Sequence, residues 1–179
     1  DVNEKNADDL TALHVAVPYS ERNRMQLLVA AKAQGNAVSD YGTPLMLASS
    51  HGCTDKAKFL LRAKASVNLR DRWEQTALSR AALSGSSEIV ESLIAANAAV
   101  ASVDADGQNA LIRAACSGSA AAVEFLIRAK ANINKRDKFN RSSLDYAVSG
   151  GHADALRVLV ENKASIDIKD EQGMFPLMY

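Results

Sequence analysis

The stretch DRWEQTALSRAALSG, Asp71 to Gly85, decides how the whole chain is read. Nearly the same wording returns as DADGQNALIRAACSG at Asp104–Gly118 and as DKFNRSSLDYAVSGG at Asp137–Gly151. Working outward, one position recurs along the full length: Thr11, Thr43, Thr76, Asn109, Ser142 and Phe175, at intervals of 32, 33, 33, 33 and 33 residues. Self-similarity at such a period is the mark of a repeat architecture. The first five of these residues have side chains that accept a hydrogen bond from the free N–H groups of a helix's first turn. Pro44 and Pro176 follow the cap position directly, where a missing N–H costs nothing.

A short helix follows each cap. It carries Leu13, Leu45, Leu78, Leu111 or Leu144, then Ala16, Ala48, Ala81, Ala114 or Ala147 three residues on, so both lie on one face. Gly52, Gly85, Gly118 and Gly151 then break the chain. A second helix repeats an apolar stripe, as in Val90, Leu93, Ile94; Val123, Leu126, Ile127; and Leu156, Leu159, Val160. An extended piece closes each unit, ASVNLRD, ANINKRD or ASIDIKD, with Val67, Ile133 or Ile166 as its apolar residue.

LTALHVA at Leu10, GTPLMLA at Gly42 and GGHADALRVLVENKASID at Gly150 resemble the ankyrin repeat, and the resemblance covers essentially the whole chain. It implies an all-α fold: a helical repeat solenoid with short projecting β-hairpin loops. One unit cannot bury its apolar face alone, so neighbours share a continuous core. The expected organisation is a single domain over 1–179, with units near 6–37, 38–70, 71–103, 104–136 and 137–169 and partial units at 1–5 and 170–179. DVNEKN reads as the hairpin of a preceding unit and MFPLMY as the start of a sixth helix, which suggests a longer array or ends that rest on something else.

Several positions depart from the family pattern. Lys32, Lys64, Asn97, Lys130 and Lys163 stand where a left-handed glycine is preferred after the second helix, which costs about 1 kcal/mol per lysine if that backbone is kept. Pro18 is expected to end the first helix early, YSERNR replaces the glycine break, and the hairpin AQGNAVSDYG is one residue short. Asn3, Asn36, Asn68 and Asn134 recur in the hairpin, a slot whose asparagines are sometimes hydroxylated in the family.

Composition limits the function. Hydrophobic residues make up 47%, enough to order the chain, and the formal charge is zero, which provides no bulk attraction to nucleic acid or membrane. No apolar run reaches the roughly 18 to 20 residues that span a bilayer. Cys53 and Cys116 form no CxxC motif and lie about two units apart, so an internal disulfide and a zinc site are both disfavoured and a soluble, intracellular, reducing setting is expected. Both thiols are expected to be buried or half-buried. His14 and His152 fall in slots where the resemblance implies local hydrogen bonding, and His51 reads as a surface residue. No nucleophile, base and donor set converges, so no enzyme, cofactor or metal is expected.

What varies between the units then points to recognition. Trp73 and Phe139 fall on a hairpin tip, where folding requires no aromatic. Arg70 and Arg72 flank the first; Arg136, Lys138 and Arg141 flank the second, a composition common at interface hot spots. The tip between them is acidic, with Asp104 and Asp106, and Tyr41 marks the tip before. Val15, Leu47, Arg80, Arg113 and Tyr146 form a second row, whose arginines are expected to lie along the stack and snorkel or else to meet a partner carboxylate. The lysine column, with Arg62 and Arg128 nearby, reads as a solvated edge. These features favour a non-catalytic protein–protein interaction module or scaffold that binds a protein partner. Two other readings stay open: an accessory subunit held on a larger, even membrane-bound, assembly, and a regulatory segment of a longer protein.

Overall fold

The computed structural model describes residues 1–19 and 22–166. Among these, ten helices occur in pairs: α1 Ala12–Tyr19 with α2 Arg22–Ala30, α3 Pro44–Ser50 with α4 Thr54–Arg62, α5 Ala77–Leu83 with α6 Ser87–Ala95, α7 Ala110–Cys116 with α8 Ala120–Arg128, and α9 Ser143–Ser149 with α10 Ala153–Glu161. The first helices stack as a row, α1 on α3 on α5 on α7 on α9, and α4, α6, α8 and α10 form a second row behind them. Expectations at Phe175, Pro176, the partial unit 170–179 and part of the YSERNR break lie outside the described residues.

The repeated residues do what their chemistry predicts. The side chains of Thr43, Thr76, Asn109 and Ser142 accept from the N–H groups of Met46, Ser79, Ile112 and Asp145. Leu13, Leu45, Leu78, Leu111 and Leu144 are fully buried, as are Ala48, Ala81, Ala114 and Ala147. The small alanines let the first helices pack closely, and the leucines fill the layer beneath them. Gly118 shows why the break is glycine: its φ is +73°, and a Cβ there would come within 2.5 Å of the His152 ring. Lys32, Lys64, Asn97, Lys130 and Lys163 keep the left-handed backbone, with φ of 60–64°.

The projecting loops are narrower than full hairpins. Four of them close on an isolated antiparallel bridge, Lys5 with Thr11, Ser39 with Gly42, Val103 with Asn109 and Arg136 with Ser142. The Ser39 loop closes one residue sooner than the others, in keeping with its shorter sequence. Pro18 corrects one expectation: α1 runs through it to Tyr19. A proline in the last turn lacks only the bond to the preceding turn, and its fixed φ is already helical. The Val17 carbonyl beside it accepts from Lys56 Nζ of the next pair.

The hairpin asparagines clamp neighbouring units, a role the sequence reading missed. Asn3, Asn36, Asn68 and Asn134 each accept, through Oδ1, the N–H of Gln34, Ser66, Ala99 or Ser165, at 2.7 to 2.9 Å. The corresponding place between the third and fourth pairs is Ala101, which has no amide.

Candidate protein-binding surface

Three of the loop tips are each organised by one carboxylate. Asp71 Oδ1 accepts the N–H groups of Trp73 and Gln75 at 2.8 and 2.9 Å. Asp104 does the same for Asp106 and Gln108, and Asp137 for Phe139 and Arg141. Asn6 plays this part in the first loop, for Asp8 and Leu10. An aspartate that bonds to the backbone two residues on fixes a turn without any strand to hold it. Adjacent tips are tied as well: Ala105 N–H donates to Trp73 O at 3.0 Å, and Lys138 N–H to Asp106 O at 2.9 Å.

The second carboxylate oxygen reaches inward. Asp71 Oδ2 meets Arg80 Nη2 at 2.5 Å, with side-chain exposures of 0% and 11%. Asp104 Oδ2 takes Arg113 Nε at 3.0 Å and Nη2 at 2.5 Å. In the fifth pair Tyr146 replaces arginine. Its hydroxyl donates to Asp137 Oδ2 at 2.7 Å and accepts from Gln108 Nε2 at 2.7 Å. Burial first, then the neighbouring Asp137, pushes the Tyr146 phenol far above its ordinary pKa. Burial alone would raise Asp137, but donors from Tyr146, Arg141 N–H, Gln108 and Phe139 N–H outweigh it and hold the carboxyl low.

This geometry gives several of the expected site residues a bond within the chain. Arg80 and Arg113 do not simply snorkel: each is tied to the aspartate of its own loop, and Arg80 Nη1 also donates to Tyr41 O at 2.8 Å. Their guanidinium groups satisfy a buried carboxylate that would otherwise be desolvated without a counter-charge. For the same reason Asp104 is buried and adds nothing to the acidity of its tip, whereas Asp106 is exposed. Arg136 is tucked against its own loop, where it donates to Asn140 O with its Nη1 3.9 Å from Asp145 Oδ2. Arg70 is half-occupied, bonded to Glu74 at 2.8 Å and to Val103 O at 3.2 Å.

What faces solvent is a row of aromatics and their stacked cations. Tyr41, Trp73 and Phe139 are 51%, 42% and 51% exposed. Arg72 lies 4.1 Å over the Trp73 ring and pairs with Asp40 of the preceding tip at 3.3 Å. Arg141 lies between two rings, 5.2 Å from Phe139 and 4.6 Å from Tyr146. Lys138 is exposed, with no ion pair among the described residues. The Phe139 edge therefore carries positive charge. The Trp73 edge is neutralised within the chain.

On the inner surface of the stack, the last turns of the first helices expose Ser50, Leu83, Cys116 and Ser149. Cys116 corrects the expectation of a buried thiol, because this position points away from both helix rows. Leu83 is the apolar member of this polar column, which was the signal that could have singled it out. Cys53 is half-buried, and both thiols are free.

A family model described as ankyrin repeats (3 copies) matches residues 1–71, 63–137 and 121–179. The chain belongs to the ankyrin repeat family. Ankyrin repeats are in general protein–protein interaction modules on a non-catalytic fold.

The histidines serve this ankyrin scaffold locally. His14 Nε2 faces the Gly42 carbonyl at 3.0 Å, which can only accept, so Nε2 carries the proton and Nδ1 accepts from Thr11 N–H at 3.2 Å. Burial holds His14 below the usual histidine range. His152 Nε2 donates in the same manner to Cys116 O. Among the described residues no three His, Cys, Asp or Glu side chains gather where a metal ion would sit. No described helix is long and apolar enough to cross a membrane.

Proposed function

We propose that this ankyrin domain, divided into units close to those expected from sequence, is a non-catalytic module. It binds a protein partner through its loop tips and the adjoining concave face. Tyr41, Trp73, Asp106, Lys138 and Phe139 form the contact edge, and Arg72 and Arg141 present the aromatic rings. One observation carries this reading: Trp73 and Phe139 stand in solvent on loops whose backbones are held by the buried carboxylates Asp71 and Asp137. Such an arrangement exposes apolar surface without benefit to folding and keeps it preorganised for docking.

The test is affinity capture with quantitative mass spectrometry on the wild-type chain, Trp73→Ala and Phe139→Ala. Each substitution is expected to leave the helical circular dichroism intact and to weaken capture by about 2 kcal/mol or more, roughly thirtyfold. Identical proteins captured at identical strength by all three would overturn the site.

A second reading, a subunit held on a larger assembly, is favoured by the first helix pair. Leu27 is 71% exposed on an apolar face shared with Ala12, Leu28 and Ala31. Concentration-dependent association of the isolated chain, removed by Leu27→Glu, is the result expected from that reading.

A further inference from the structure

The fifth pair uses its arginine differently from the two pairs before it. In successive units the residue preceding the helix cap is Gln75, Gln108 and Arg141. In the third and fourth pairs the loop carboxylate takes the fork of Arg80 or Arg113. In the fifth pair Tyr146 holds Asp137, and Arg141 lies stacked between the Phe139 and Tyr146 rings. Its Nε is 4.0 Å from Asp137 Oδ2, too far for a hydrogen bond. Among the described residues no acceptor meets its terminal nitrogens. A guanidinium stacked on ring faces keeps its N–H donors in its own plane, directed past the ring edges. A planar acceptor approaching in that plane is held by two bonds at once.

The surroundings narrow what that acceptor is. Phe139, 51% exposed, offers an apolar ring 5.2 Å from the guanidinium, a distance that two consecutive residues of one chain can cover. Lys138 on the same tip is exposed and, among the described residues, has no ion pair. Asp137 fixes the loop beneath by accepting the N–H groups of Phe139 and Arg141. Two negative charges stand close by. Asp106 is exposed on the adjoining tip, whose backbone accepts the Lys138 N–H at 2.9 Å, and Asp137 lies buried under Arg141. At the scale of a polyanion, such as nucleic acid or an anionic membrane, these charges offset the two cations. A single carboxylate reaches the Arg141 fork directly.

We propose that this edge receives a short acidic segment of a partner protein. One glutamate or aspartate of the segment lies in the plane of the Arg141 guanidinium, with the Lys138 amine as a further donor. An apolar residue next to it in sequence packs on the exposed Phe139 ring. The inference rests on the proposed interaction role and specifies the partner's chemistry at the fifth unit.

The probe is a random-sequence peptide library displayed on phage, selected in parallel on the wild-type chain and on Arg141→Lys. That substitution keeps a positive charge beside Asp137 and removes the planar fork. Peptides enriched on the wild type are expected to carry an aspartate or glutamate next to an apolar residue. The strongest of them, made synthetically, should bind Arg141→Lys at least about tenfold more weakly, and Lys138→Ala a few-fold more weakly. Replacing its acid by the corresponding amide should cost at least about tenfold as well. Circular dichroism checks that each variant is folded. If Arg141→Lys is not, Lys138→Glu at the exposed neighbouring position takes its place, with a loss of about tenfold expected. Enriched peptides without an acid, or equal binding to the wild type and the folded variant, overturn the inference. So does a phosphoserine version that binds more than about tenfold tighter, because the edge would then be a phosphate receptor. If no peptide is enriched while Phe139→Ala still weakens protein capture, only the acidic segment falls. If Phe139→Ala changes neither, this end of the interaction site falls with it.

Discussion

The Tyr146 hydroxyl donates to Asp137 from the position at which Arg80 and Arg113 meet Asp71 and Asp104. In all three units the loop carboxylate divides its oxygens, one toward the tip backbone and one toward the first helix. A neutral phenol and a charged guanidinium therefore serve one structural end. The difference lies in how much each loop depends on its partner.

A buried ion pair is costly to break from one side. Arg113→Leu is expected to destabilise the fold by about 3 kcal/mol, because Asp104 stays buried without a counter-charge. Adding Asp104→Asn should recover most of that loss, since asparagine keeps the tip bonds as Asn6 does in the first loop. Urea unfolding of both single variants and the double variant measures the coupling. Additive losses would show that the pair is not coupled.

Two groups make stability pH-dependent, in separate windows. Asp137 is held below its unfolded value, so its contribution is complete above about pH 4 and is lost as pH falls through the folded pKa. His14 is held below its ordinary value, chiefly by burial, so the unfolded chain takes up that proton first. Its contribution is complete above about pH 6.5 and declines below it. Urea midpoints from neutral to acid pH should fall in two stages. His14→Gln should flatten the upper stage and Asp137→Asn should make the lower one shallower.

Ala101 interrupts the asparagine clamps. Ala101→Asn is expected to accept the N–H of Asn132, as Asn68 accepts that of Ala99, and to add about 1 kcal/mol. For a chain of this size that is a rise of about 2–4 °C in Tm, read by differential scanning calorimetry. An unchanged Tm would mean that the clamps align the units without stabilising them.

The left-handed lysines persist because opposing terms nearly cancel. Lys130 has a φ of 62° just past the end of α8, where its charge favours the helix C-terminus by about 0.3–1 kcal/mol. Lys130→Gly relieves backbone strain but loses that term and adds unfolded-state entropy, so it should be near neutral. Lys130→Val has neither compensation and should cost about 1–2 kcal/mol in urea unfolding.

The elements set by local chemistry could be read from the residues alone. Caps, leucine–alanine faces, glycine breaks and left-handed lysines follow from one helix turn or one φ angle, and each is where the spacing places it. Exposure of Trp73, Phe139 and Tyr41 was legible too, because nothing in the repeat needs them. The partners of the arginines were not legible. Asp71 to Arg80, Asp104 to Arg113 and Asp137 to Tyr146 share an interval of nine residues, which is no helical or strand period and crosses a turn. Only the folded loop brings those ends together. The asparagine clamps escaped notice for a similar reason: their partners lie about thirty residues away, in the next unit.

Because Asp71 immobilises the Trp73 backbone before any encounter, a docking protein has little loop entropy left to quench. Exchanging the tip residue alone should then retune selectivity without disturbing the frame. Lineages carrying this frame could acquire new binding preferences one side chain at a time.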